Sequence, residues 1–117
     1  MKTYKGMPWD EFIGFIGETA KQELRKEAPI IDLYGVTSTR WSYGKFGSLE
    51  SNYTLREGRG LIGKLLGAKI FTIHDNSAKG ILPRVIIHDT NYFGQKVYEI
   101  FKTIGGNLHI DFSVEYA

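Results

Sequence analysis

The sequence predicts an α+β fold: one mostly antiparallel sheet of about five strands, with an N-terminal helix and a helix in the C-terminal half packed on one face. The expected order is α-β-β-β-β-β-α-β. Three observations carry this reading. An amphipathic run of helical period opens the chain at residues 9–28. Short apolar stretches separated by Gly, Ser, Asn and Asp fill the middle. A second helical run, 91–104, then precedes a stretch of strict apolar–polar alternation. Helices set at the two ends of a series of strands segregate to one side of an antiparallel sheet.

The first helix follows Pro8, which suits an initial turn because its missing N–H has no intrahelical partner there. Trp9, Phe12, Ile13, Ile16, Ala20 and Leu24 form the apolar stripe, and Asp10, Glu11, Glu18, Lys21, Arg25 and Lys26 lie off it. Acidic residues lead and basic residues close, as the helix dipole favours. Phe15 stands off the stripe, free to pack on a second element or a partner. Pro29 ends the helix by pushing the preceding residue out of the α region.

A strand is expected at 30–37, then an aromatic hairpin with arms 40–46 and 49–55 around a turn at Gly47-Ser48. Next come two short strands, 70–73 and 84–87, each closing on the same dipeptide, His74-Asp75 and His88-Asp89. The second helix starts after a cap at Asp89 or Thr90. It buries Phe93, Val97, Ile100, Phe101 and Ile104, and Gly105-Gly106 is expected to stop it in a left-handed conformation. In the closing segment Leu108, Ile110, Phe112, Val114 and Tyr116 alternate with His109, Asp111, Ser113 and Glu115, the pattern of a half-buried strand.

At 117 residues a single domain spanning 1–117 is expected. The chain is 42% hydrophobic and 24% charged, which is globular composition and not that of a disordered chain. With no cysteine, disulfides, thiolate metal sites and cysteine nucleophiles are excluded. No leader-like or membrane-length apolar run stands out, so a cytoplasmic protein without a membrane partner is expected. The net charge of +2 is compatible with an anionic partner but is a weak nucleic-acid footprint.

Several motifs are near misses. Gly58, Gly60 and Gly63 match G-x-G-x-x-G, but too little chain follows for the crossover helix a dinucleotide fold needs. Leu65 stands where a Walker A loop requires Ser or Thr after Lys64. What remains is a glycine-rich loop with Arg56, Arg59 and Lys64, whose backbone amides can form an anion nest.

Two constellations carry chemistry. All three histidines have a near aspartate, and His88, His109 and Asp111 are the candidate acid–base or metal-binding set for a small phosphodiester-cleaving enzyme. Geometry opposes a larger set, because in an antiparallel hairpin His74 and His88 end at opposite edges. The second constellation is aromatic and basic: Trp41, Tyr43 and Tyr53 as anchors, with Arg40, Arg56, Arg59 and Lys64 as steering charges. This favours a non-catalytic binding protein, with no resident cofactor or metal. An accessory or inhibitor protein of the kind phages and mobile elements carry fits that description. Its partner is expected to be a protein first and nucleic acid second. A self-assembling subunit, using the final strand and Phe15, is the third expectation.

Overall fold

The computed structural model describes residues 3–4, 7–28, 32–42, 48–58, 66–76, 83–90 and 92–117. For 3–4, 8–10, 39–42, 48–50, 75–76 and 92 the description covers backbone alone. A two-residue pair, β1 (Thr3–Tyr4) and β2 (Met7–Pro8), precedes helix α1 (Trp9–Glu27). Strands β3 (Leu33–Ser42), β4 (Ser48–Glu57), β5 (Ala68–Asn76) and β6 (Arg84–Ile87) follow, then helix α2 (Tyr92–Leu108) and strand β7 (Ser113–Tyr116). The main sheet has the order β3-β4-β5-β6-β7. Its first four strands are antiparallel neighbours, and β7 joins β6 in parallel. That parallel step needs a crossover, and α2 supplies it.

The α+β architecture is therefore as expected, with one strand fewer. The described parts of the segments expected at 30–37 and 40–46 belong to a single ten-residue strand, Leu33–Ser42, in which Gly35 and Ser38 make no turn but sit inside the ladder opposite Leu55 and Asn52. Residues 29–31, 43–47 and 59–65 lie outside the described part, and with them Tyr43, Arg59, Lys64 and the turn at Gly47.

Register parity sorts the sheet into two faces. Tyr53 stands opposite Ile73, Leu55 opposite Phe71, Phe71 opposite Ile87 and Ile73 opposite Val85. All six side chains are buried. Both helices cover this face: Phe12, Ile13, Ile16, Ala20 and Leu24 from α1, Val97, Phe101 and Ile104 from α2. A file of rings ties the layers together. Tyr53 stacks on Phe71 at 6.0 Å, Phe71 meets Phe101 edge-on at 5.1 Å, and Phe101 meets Phe112 at 5.7 Å. Such ring pairs add about 0.5–1.5 kcal/mol each beyond area burial.

Two expectations at the C-terminal end are corrected. The helix does not stop at Gly105-Gly106 but runs on to Leu108. Its left-handed residue is His109, at φ 56°, and the Ile110 amide donates back to the Gly105 carbonyl at 2.9 Å, the kind of closure that ends helices in αL. Gly105 serves a close approach instead: a Cβ there would lie 2.7 Å from the Ile110 oxygen. The final strand is also shorter than the alternation suggests. Residues 109–112 carry the chain from the helix layer back to the sheet, and only Ser113–Tyr116 pairs.

Candidate functional site: the uncovered sheet face

With both helices on one side, the opposite face of the sheet is left uncovered among the described residues. Its side chains follow the other parity. Tyr34 and Val36 come from β3, Asn52, Thr54 and Arg56 from β4, Thr72 and His74 from β5, Arg84 and Ile86 from β6, and Glu115 from β7. The face is predominantly polar. Glu115, the one carboxylate that the paired strands place there among the described side chains, is paired with Arg84, whose Nε donates to it at 3.1 Å. The His74 and Asn52 side chains share a hydrogen bond.

One row of this face is cationic because of a bulge. Register shifts between Leu55 and Arg56, so that Leu55 faces Phe71 while Arg56 faces Lys69. Strict alternation back from Phe71 would put Ile70 on the open face and Lys69 in the core. The extra residue instead keeps Ile70 buried at 1% exposure and returns exposed Lys69 to the open side. A bulge re-aims side chains in this way. The Ile70 carbonyl then accepts the amides of His88 at 2.9 Å and Asp89 at 3.3 Å, which fixes the end of β6.

The outcome is a row across three strands, Tyr34 opposite Arg56 and Arg56 opposite Lys69, with His88 beside it just past the end of β6. Directly opposed residues have Cβ atoms about 4.5–5.5 Å apart. Arg56 Nη1 donates to the Gly67 carbonyl at 3.0 Å, which orients the guanidinium and leaves its other N–H groups available. His88 Nε2 and Thr72 Oγ1 share a hydrogen bond of 2.9 Å, and Thr72 Oγ1 lies 3.5 Å from Thr54 Oγ1. Partial burial first, then the charges of Lys69 and Arg56, hold the His88 imidazole below the ordinary histidine range. At neutral pH it is mainly uncharged, and an anion placed in the row would favour its protonated form.

The sequence-derived candidates fall into three groups. Arg56 and His88 are brought together, although the sequence places them in different constellations. Arg40 and Trp41 stand opposite Glu50 and Leu49 in the register; their side chains lie outside the described part. Tyr53 is a correction: it is a core residue with 0% exposure, not a surface anchor. Its ring fills a notch made by two glycines, since a Cβ on Gly17 or Gly35 would strike it. Its hydroxyl makes no hydrogen bond of ordinary geometry among the described residues, although the Glu18 carboxylate lies near it. Burial, and then the negative charge of nearby Glu18, push the phenol far above its ordinary range, so it stays protonated.

The acid–base set is not assembled. His109 and Asp111 precede β7 and lie at the Arg84 end of β6, whereas His88 follows its Ile87 end. The ladder between those ends has three steps, about 10 Å at 3.3 Å per residue. His109 and Asp111 line a cavity of about 420 Å³ with Lys102 and Phe112, and neither side chain has a hydrogen-bond or ion-pair partner among the described residues. No group of three or more His, Asp or Glu suited to a metal occurs among the described residues.

Three contributors to the row are absent from the sequence-derived candidates. Tyr34 could have been found, because alternation with Leu33 and Gly35 sets it on the far face. Thr72 could have been found in the same way. Lys69 could not, since its face depends on the bulge. Compared with protein-family models, curated proteins and solved structures, the chain matches none of them. No described helix is long and apolar enough to cross a membrane.

Proposed function

We propose that this protein is a non-catalytic binding module that engages a macromolecular partner of anionic character through the uncovered face of its sheet. The observation that carries this is the cationic row Tyr34–Arg56–Lys69–His88, built on a face where the described carboxylate of the paired strands, Glu115, is taken by Arg84. A sheet face that stays polar needs no helix to cover it. Its ladder holds the side chains in fixed rows, so little ordering entropy is lost on binding.

The test is affinity capture from lysate of the source cell, with and without nuclease, using wild type and Thr54→Glu. Thr54 is at the centre of the open face, beside Thr72. The module loses its stoichiometric partner in Thr54→Glu while the melting temperature stays within a few degrees, since surface substitutions cost about 0.5 kcal/mol or less. Equal recovery by both proteins would break the reading.

A further inference from the structure

We infer that the partner is single-stranded nucleic acid, with a backbone phosphate seated between Lys69 and Arg56 beside His88, and a neighbouring base laid against Tyr34. This rests on the reading that the open face is the binding surface, and it names what that surface holds.

Four observations on that face point to a phosphodiester strand and not to a protein. First, two of its cations, Lys69 and Arg56, are adjacent and have no carboxylate partner among the described residues. Lys69 and Arg56 are direct cross-strand partners, and two like charges held side by side destabilise a sheet unless an anion lies between them. Second, among its described side chains the face lacks the apolar centre that a protein interface places under its hot spots. Val36 is its one large hydrophobic side chain counted as exposed, at 40%, whereas the cores of protein interfaces are apolar and poor in charge. Third, hydroxyl and imidazole groups stand next to the cations: Thr54, Thr72 and His88 form a hydrogen-bonded line one step from Arg56. Phosphate and sugar oxygens are met by such groups together with Arg and Lys. Fourth, the row begins on a half-buried tyrosine. An aromatic ring on a sheet with basic neighbours is a stacking platform for an unpaired base.

The modest net charge of +2 does not oppose this, because the row concentrates positive charge locally. Much of the acidic complement lies on the helix layer, where Glu18 and Glu23 are paired with Lys21 and Lys26. A local concentration of one sign of charge on the sheet face steers an approaching anionic strand toward it.

The experiment is fluorescence anisotropy with labelled oligouridylate and oligothymidylate of about 20 nucleotides, titrated between about 50 and 200 mM salt. Wild type binds, and its affinity falls linearly with salt on logarithmic axes. Lys69→Glu weakens binding about tenfold or more at low salt and flattens the salt slope by about 0.7 for each phosphate that is no longer neutralised. Lys26→Glu on the helix layer makes the same change in net charge and alters affinity by less than about twofold. Tyr34→Leu weakens binding about tenfold, as expected when one base no longer stacks. As a check that does not depend on variants, adding oligouridylate to the wild type shifts the NMR signals of Tyr34, Arg56, Lys69 and His88, and moves the His88 titration upward.

No binding at low salt, equal weakening in Lys69→Glu and Lys26→Glu, equal competition by duplex, or NMR shifts confined to the helices would each overturn the proposal. The capture experiment separates this failure from that of the broader reading. A nuclease-resistant protein partner that disappears in Thr54→Glu would remove nucleic acid but keep the open face as the binding surface. A capture indifferent to Thr54→Glu, with no oligonucleotide binding, would remove both.

Discussion

The two faces of the sheet are built from the same strands and differ by one residue of register. On the helix side Tyr53, Leu55, Phe71, Ile73, Val85 and Ile87 are each at 0% exposure. On the other side the interleaved residues are mostly polar or charged, Val36 and Ile86 excepted, and several hold one another by side-chain hydrogen bonds: His88 with Thr72, His74 with Asn52, Arg84 with Glu115. Stability resides on the first face and recognition on the second. A change on one should leave the other largely untouched, because alternate residues of a strand do not meet.

The most direct challenge to that division is a pair of neighbours. Phe71→Ala removes a ring that touches both Tyr53 and Phe101, and a loss of about 3–5 kcal/mol is expected in urea unfolding. Thr72→Ala, the next residue, removes a half-exposed hydroxyl and is expected to cost about 1 kcal/mol or less. Comparable losses at the two positions would refute the assignment of faces.

A smaller effect is expected at the tyrosine notch. Gly35→Ala forces a methyl group onto the Tyr53 hydroxyl and Gly17→Ala forces one onto its ring, each costing about 1–3 kcal/mol by overpacking. Tyr53→Phe removes a buried hydroxyl without a well-formed hydrogen bond among the described residues, so by itself it is expected to be near neutral or stabilising. Combined with Gly35→Ala it should recover part of the loss, whereas the Gly17→Ala loss should persist. Additive behaviour at Gly35 in a double-mutant cycle would contradict the contact.

Smaller again is the glycine pair that the sequence presents as a helix stop. Gly106 is helical, and a Cβ there would meet nothing within 4 Å. Gly106→Ala is expected to raise stability by about 0.5–1 kcal/mol through backbone entropy. Gly105→Ala meets the Ile110 oxygen and should destabilise. Equal responses would mean that the helix ends where the sequence suggests.

The smallest effect is a pH dependence at His88. Its folded-state pKa is depressed below the ordinary value of 6.5, so the unfolded chain binds its proton more readily. The stabilising difference is present above about pH 6.5 and is lost as the pH falls through the folded-state value. His88→Gln removes that dependence, and unfolding midpoints measured from neutral to mildly acidic pH should show a flatter profile than wild type. With bound oligonucleotide the wild-type profile should flatten too, because a phosphate in the row stabilises the protonated imidazole.

Much of this division can be seen in the chain itself, and the places where it cannot are instructive. The helical stripe from Phe12 to Leu24 and the apolar file Val97, Phe101 and Ile104 are periodic enough to be read directly. Arg84–Ile87 keeps its expected limits. Tyr53 misleads because tyrosine suits a surface anchor as well as a core, and only the approach of Gly17 and Gly35 from two other elements shows which. Gly105-Gly106 misleads because glycine serves close packing as well as left-handed turns. Lys69 is hidden for a different reason. Its face is set by an inserted residue in the ladder, and period-two patterning carries no signal for that.

The Ile70 carbonyl also has a consequence for exchange with solvent. The regular β5–β6 ladder ends at Phe71 and Ile87, so the amides after Ile87 would ordinarily exchange like those of a loop. Both His88 and Asp89 are instead held by one oxygen, at 2.9 and 3.3 Å. Native-state deuterium exchange should therefore find the His88 amide as slow as its neighbours inside β6, the Asp89 amide somewhat faster, and the Thr90 amide fast. The boundary between slow and fast would fall two residues beyond the end of the strand, directly behind the histidine of the cationic row.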